Sequence, residues 1–215
     1  MKALLIFIYI FSFISDNPDP LRLKEEINAY KESDRNDPPQ SGSYLFIGSS
    51  SIKMWKSLKD DFAGYPVVNR GFGGSHFSDA IYYFQDIVKP YDPSKIIIYE
   101  GDNDIASKKS TEEIFSDFKA FYKLINKNLN NPEIAVIAAK PSPGRWRFKE
   151  KYEALNLKLE EFCRNKKNMI FIDVYYPMLT ETGRPNPDIF LEDSIHMNNK
   201  GYEIWTNLIL PFIED

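Results

Sequence analysis

From Tyr44 onward the chain alternates short apolar runs, each ending in glycine or polar residues, with segments of helical period. The runs are Tyr44–Ile47, Pro66–Val68, Lys95–Tyr99, Ile134–Ala138 and Met169–Val174. The helical segments between them begin near Ile52, Ser78, Thr111 and Arg147, and a last one covers Lys200 to Ile213. The clearest puts Ile114, Phe115, Phe118, Phe121, Tyr122, Ile125 and Leu129 on one side, with Ser110 and Glu113 at capping-box spacing ahead of it. Pro211 is expected to break or kink the final helix. Runs this rich in Val and Ile, alternating with helices, imply a parallel sheet covered on both faces. Five of them predict an α/β fold, a three-layer α/β/α sandwich on a five-stranded parallel sheet. Ligands of such sheets bind beyond the carboxyl ends of the strands, where the strand order switches. The residues just after each run are therefore the place to look for chemistry.

Ahead of this pattern the chain differs in kind. Lys2 precedes an uncharged stretch from Ala3 to Ile14, broken only by Ser12 and followed by Asp16-Asn17-Pro18. It is shorter than the ~20 apolar residues a transmembrane helix needs, so no stable membrane span is expected. A positive start, a short apolar core and a polar exit fit a secretory leader, although Phe13 stands where a second small residue would favour cleavage. The expectation is an exported protein, periplasmic or secreted, with an uncleaved anchor as the alternative. Residues 1–17 are read as leader or anchor, 18–43 as a helical extension with few apolar residues on the surface, and 44–215 as one α/β domain.

The 215 residues, 43% hydrophobic and 27% charged, are enough for one full core and exclude wholesale disorder. A net charge of −4 argues against a nucleic-acid partner. One cysteine, Cys163, rules out an internal disulfide framework and a cysteine-rich zinc site. Its place beside Leu159 and Phe162 reads as a small buried hydrophobe. With His76 and His196 the only histidines, any histidine-dependent chemistry has two candidates.

Four loops at the strand ends carry reactive groups. They are Gly48-Ser49-Ser50-Ser51, Asn69 to His76 with its Gly71, Gly73 and Gly74, then Glu100-Gly101-Asp102-Asn103-Asp104, and Glu192-Asp193-Ser194-Ile195-His196. A serine becomes a nucleophile only beside a base, and the base needs a third group to fix its tautomer. His196, with Asp193 within one turn of chain, supplies both. The backbone N–H groups of Ser50 and Gly74 and the Asn103 side-chain amide can serve as oxyanion donors. Taken singly, each loop reads as an ordinary turn or helix cap; their conjunction on one rim argues against that reading holding at all four. Glu100, Asp102 and Asp104 fail the calcium-loop spacing, because Ala106 and Lys108 occupy ligand positions, so no metal is expected.

Gly48-Ser49-Ser50, Gly74, Gly101-Asp102-Asn103-Asp104 and Asp193-Ser194-Ile195-His196 resemble, in order, the four blocks of the SGNH (GDSL-like) hydrolase family. The resemblance spans Tyr44 to the C-terminus. It implies a flavodoxin-like α/β/α fold and a serine esterase or lipase-like acylhydrolase without cofactor. It further implies Ser50 as nucleophile, His196 as base and Asp193 as its partner, with Ser50, Gly74 and Asn103 forming the oxyanion hole. The family's first block usually reads Gly-Asp-Ser; Ser49 in place of the aspartate leaves Ser49, Ser50 and Ser51 to be told apart by register, which favours Ser50.

The expected partner is a small-molecule or carbohydrate ester. Aromatic residues near the rim tilt the reading towards O-acetyl groups on sugars, with Trp55, His76 and Trp146 as cleft walls, and Arg145 to Arg147 as a wall contacting sugar or anion. Two rivals stay open. A flavodoxin-like protein would seat a phosphate on the Gly48–Ser51 turn but would have no need of Asp193 and His196. A catalytically inactive relative would bind a ligand or glycan on the same scaffold. Nothing in the sequence fixes the oligomeric state.

Overall fold

The computed structural model describes residues 17–215; the leader or anchor expected over residues 1–17 lies outside them but for Asn17. Five parallel strands, β1 (Tyr44–Gly48), β2 (Val67–Gly71), β3 (Lys95–Tyr99), β4 (Glu133–Ile137) and β5 (Met169–Ile172), form one sheet in the order β2-β1-β3-β4-β5. Every neighbouring pair is parallel, with Leu45 opposite both Val68 and Ile96. The expected three-layer α/β/α sandwich with its flavodoxin-like strand order is the fold observed. All five residues of β3 are buried, as a strand covered on both faces requires.

The helices are α1 (Lys24–Asn36), α2 (Ser50–Lys53), α3 (Leu58–Asp61), α4 (Phe77–Tyr82), α5 (Phe84–Ile87), α6 (Asp102–Ala106), α7 (Thr111–Asn128), α8 (Lys149–Arg164) and α9 (Asn199–Glu214). The sheet grows from β1 to β2 and then reverses to β3, β4 and β5. Right-handed crossovers therefore put the β1–β2 connection on one face and the later connections on the other. The contacts follow: on one face Trp55 meets Phe46, Phe62, Tyr202 and Trp205, and on the other Phe77 meets Phe118, which meets Phe162.

The capping box predicted at α7 is present, Ser110 Oγ accepting the Glu113 N–H and Glu113 accepting the Ser110 N–H. Cys163 is buried, and burial pushes its thiol up to about 12. Pro211 does not end α9, which continues to Glu214. Buried Ile209, Phe212 and Ile213 hold the last turn against the domain, and Lys95 Nζ donates to the Phe212 carbonyl at 2.6 Å. Tertiary packing overrides the missing amide. Among the described residues no helix is long and apolar enough to cross a membrane.

Candidate active site

The reversal in strand order falls between β1 and β3, and the loops leaving these strands stand side by side. Gly48 ends β1, Ser49 is buried, and Ser50 opens α2. Its neighbour Ser51 is also buried, so among the three serines only Ser50 faces the rim, partly exposed. The Ser50 N–H is a first-turn amide with no acceptor inside its own helix.

The structure brings this serine to the far end of the chain. Ser50 Oγ lies 2.8 Å from His196 Nε2, and His196 Nδ1 lies 2.5 Å from Asp193 Oδ2. The carboxylate accepts a hydrogen bond from Nδ1–H, which leaves Nε2 as the acceptor facing the hydroxyl. Asp193 Oδ1 accepts the backbone N–H groups of Ile195 and His196, both at 2.9 Å. Partial burial acts to raise the Asp193 carboxyl, but the hydrogen bonds from the His196 ring and these two amides outweigh it and bring it down to about 2. It is therefore ionised at neutral pH.

The second loop follows β2. Gly74 has φ +72°, a left-handed conformation that glycine adopts without strain, and a Cβ there would meet no neighbour. The position needs glycine for its backbone angle rather than for room. No acceptor among the described residues takes its N–H, which stays available to a ligand.

Asn103, in α6 beyond β3, is fixed from both ends. Its Nδ2 donates to the Ser75 carbonyl at 3.0 Å, and its Oδ1 accepts from Arg145 Nη2 at 3.1 Å. Arg145 also pairs through Nη1 with the buried Asp102 at 2.7 Å. Burial alone would raise the Asp102 carboxyl, but Lys140, Arg145 and the Tyr152 hydroxyl outweigh it and hold it at about 2. Arg145 thus turns inward to the Asn103 amide instead of forming an outer wall. Nothing in the local sequence marks it, because its partners are brought by a different strand.

The expected cleft walls fare differently. Trp55 is 1% exposed and belongs to the aromatic core, its ring stacked on Tyr202 at 5.0 Å, so it cannot line a cleft. His76 is 4% exposed, enclosed between Asp104 (Nδ1 to Oδ1 3.6 Å) and Ser107 (Nε2 to Oγ 3.3 Å). Burial, then nearby Lys109, lowers its imidazole to about 4, so it is neutral at neutral pH and is no wall residue. Trp146 is half-buried on the rim loop after β4, with its ring stacked on Tyr175 and Lys149 Nζ over it. Amphipathic rings look alike in sequence whether they face solvent or core, which is why these positions misled. Among the described residues no group of three or more His, Cys, Asp or Glu is placed to hold a metal ion.

A groove of about 790 Å³ lies beside the loops of Ser50 and His196, neither of which lines it; its walls include Met54, Lys56, Leu191, Met197 and Lys200. Two of them hydrogen-bond the reactive loops directly. The Met54 N–H donates to the Ser50 carbonyl and the Leu191 N–H to the His196 carbonyl, both at 2.8 Å.

The profile of the GDSL-like Lipase/Acylhydrolase family matches residues 48–204. No curated protein matches the sequence. Among solved structures, a GDSL-like lipase from Bacteroides thetaiotaomicron is similar at 22% identity and TM-score 0.76, over 87% of this chain and 97% of that one. A catalytic mutant of an acetylxylan esterase from Geobacillus stearothermophilus is similar at 15% identity and TM-score 0.66, over 81% and 95%. A carbohydrate esterase family 3 protein from Talaromyces cellulolyticus is similar at 14% identity and TM-score 0.64, over 80% and 96%. At these identities the likeness establishes a shared fold.

Proposed function

The chain belongs to the GDSL-like lipase/acylhydrolase family, and from that premise we propose that it is a serine ester hydrolase with Ser50 as nucleophile, His196 as base and Asp193 as the carboxylate orienting it. The observation that carries this reading is the unbroken chain from Ser50 Oγ through both nitrogens of His196 to Asp193. His196 Nε2 takes the hydroxyl proton as Oγ attacks the ester carbonyl, and the Asp193 carboxylate stabilises the imidazolium that forms. The oxyanion receives the Ser50 and Gly74 N–H groups and the second proton of Asn103 Nδ2, the first being held by the Ser75 carbonyl. His196 then returns its proton to the leaving alkoxide. A water activated by the same nitrogen releases the acid and restores Ser50.

O-acetylated carbohydrate is the class to test first, because acetylxylan and carbohydrate esterases share this fold. Purified protein should hydrolyse para-nitrophenyl acetate and release acetate from acetylated oligosaccharides. Ser50→Ala should lower kcat at least ~10³-fold while the protein stays folded. A fluorophosphonate should label Ser50; labelling that persists in Ser50→Ala at Ser49 or Ser51 would refute the nucleophile assignment.

A further inference from the structure

The loop that carries Gly74 is the least constrained part of the site by its own sequence. Gly73 and Gly74 are consecutive, and no residue type loses more backbone freedom on ordering than glycine. An oxyanion donor is useful only when its direction is already set before charge develops. What sets it here comes from outside the α/β sandwich. Glu26, in α1, accepts the Gly73 N–H through both carboxylate oxygens, at 3.3 and 3.2 Å. Arg22, one turn earlier, donates Nη2 to the Gly74 carbonyl at 3.2 Å. Its guanidinium is itself held by Asp79, Nη1 to Oδ1 at 2.9 Å and Nη2 to Oδ2 at 2.5 Å. The Asp79 side chain is 1% exposed and also accepts the His76 N–H at 2.8 Å, so the clamp is anchored in the interior. Both polar groups flanking the peptide that carries the Gly74 N–H are therefore gripped from α1 and the 3₁₀ turn, Pro20–Leu23, that leads into it.

The same helix reaches the nucleophile's element. Glu26 Oε1 pairs at 2.8 Å with Lys53 Nζ, and Lys53 ends the short helix α2 that Ser50 begins. One carboxylate thus ties the oxyanion loop to the serine's own helix. Tyr30 adds a hydrogen bond to the Gly71 carbonyl, at the start of the loop.

We propose that α1 and the 3₁₀ turn before it belong to the hydrolytic apparatus, with Arg22 and Glu26 as positioning residues that aim the Gly74 N–H at the oxyanion and set its spacing from Ser50. The proposal rests on the ester-hydrolase reading above. It extends the working unit to a segment that precedes the family-matched residues 48–204.

The test uses full-length protein, para-nitrophenyl acetate kinetics, and inhibition by an alkyl boronic acid, whose serine adduct places an oxygen in the oxyanion hole. Glu26→Ala and Arg22→Lys should each lower kcat about tenfold or more with KM within about twofold, since donors mispositioned by an ångström can cost up to ~10²-fold. Boronate affinity should weaken by the same factor as kcat. Glu26→Gln keeps an acceptor for the Gly73 N–H and should recover most of the lost kcat. Ile27→Ala, from the buried face of the same helix, should lower Tm without this loss. Unchanged kcat and boronate affinity in Glu26→Ala and Arg22→Lys, or an equal kcat loss in Ile27→Ala, overturns the positioning role while wild-type turnover keeps the hydrolase reading intact. A wild-type protein inert to every ester and to fluorophosphonate removes that reading, and this one with it. Should Glu26→Ala fail to fold, Arg22→Lys, which keeps a cation beside Asp79, decides between the outcomes.

Discussion

Asn103 shows how much a single side chain depends on its surroundings. An amide can point either its oxygen or its nitrogen at a ligand, and only the nitrogen stabilises an oxyanion. The Ser75 carbonyl on one side and the Arg145 guanidinium on the other admit one orientation, nitrogen towards the Gly74 loop. Asn103→Ala should therefore lower kcat by about 10²–10³-fold with little change in KM, because the contact strengthens only as charge develops. Steady-state kinetics on para-nitrophenyl acetate checks this; an effect confined to KM would make Asn103 a ground-state contact only. The candidate residues that the structure brings together were legible in the sequence where a group came with a neighbour that makes sense of it. Asp193 near His196 is the clearest case. Arg145 had no such neighbour, since its partners Asp102 and Asn103 come from the loop after a different strand.

At the scale of elements, the loops after β1, β3 and β4 and the one before α9 are fastened to one another rather than merely adjacent. The loop after β4 touches two others. Arg145 holds Asn103, and the Gly144 N–H donates to the Ser194 carbonyl at 2.9 Å, bracing the turn between Asp193 and His196. A Cβ on Gly144 would come within 2.9 Å of Ile195 Cγ1 and 3.1 Å of that carbonyl. Gly144→Ala should push the Asp193–His196 turn aside and slow both turnover and fluorophosphonate labelling of Ser50, about tenfold or more. Equal rates in the variant and the wild type would show that the turn yields without moving His196. Elements themselves were legible where the pattern is long: α7 announces its start with Ser110 and Glu113 and its face with the Ile114 to Leu129 stripe. The short helix α6 was invisible as a helix, because five residues carry no period, and the helical segment expected from near Ile52 is split into the short helices α2 and α3. Pro211 shows the converse, a strong local signal overruled by packing.

For the molecule as a whole, the buried groups beneath the Gly74 loop make stability depend on pH. The His76 imidazole is lowered from its ordinary 6.5 to about 4, chiefly by burial. Between those values the unfolded chain binds a proton that the folded protein does not, so acidification favours unfolding and the loss is complete near pH 4. Asp104 acts with the opposite sign: burial raises its carboxyl to about 6, so it gains a proton on folding as the pH falls. His76→Asn leaves the Asp104 contribution in place and removes that of His76. The variant's stability relative to wild type should therefore improve by up to about 3 kcal/mol between pH 7 and pH 4, at ~1.4 kcal/mol per pKa unit. Urea unfolding at the two pH values measures it, and a difference independent of pH would mean that His76 titrates normally. Hydrolysis should keep its pH profile in this variant, and His196→Ala should lose nearly all turnover.

What the sequence determined by itself was periodic or local: five apolar runs, the helices between them, the parallel class of sheet, and reactive residues grouped within a few positions of each strand end. Such features follow from neighbours in the chain, where spacing alone dictates which groups share a face or a turn. What only the tertiary structure decided was which distant groups meet. The strand order β2-β1-β3-β4-β5 sets the loops of β1 and β3 side by side and leaves His196 within reach of Ser50. It also turned Trp55 and His76 from expected cleft walls into buried residues. The extension before Tyr44 reads as a surface helix, and most of its residues are exposed. Yet Leu23 and Ile27 are buried, and its charged face grips the Gly73-Gly74 loop. A charge pattern on a helix looks the same whether it faces water or a partner, and only docking distinguishes them. Burial and pairing at long range are properties of the packed chain, set by the closing of the sheet and not by any stretch of residues read alone.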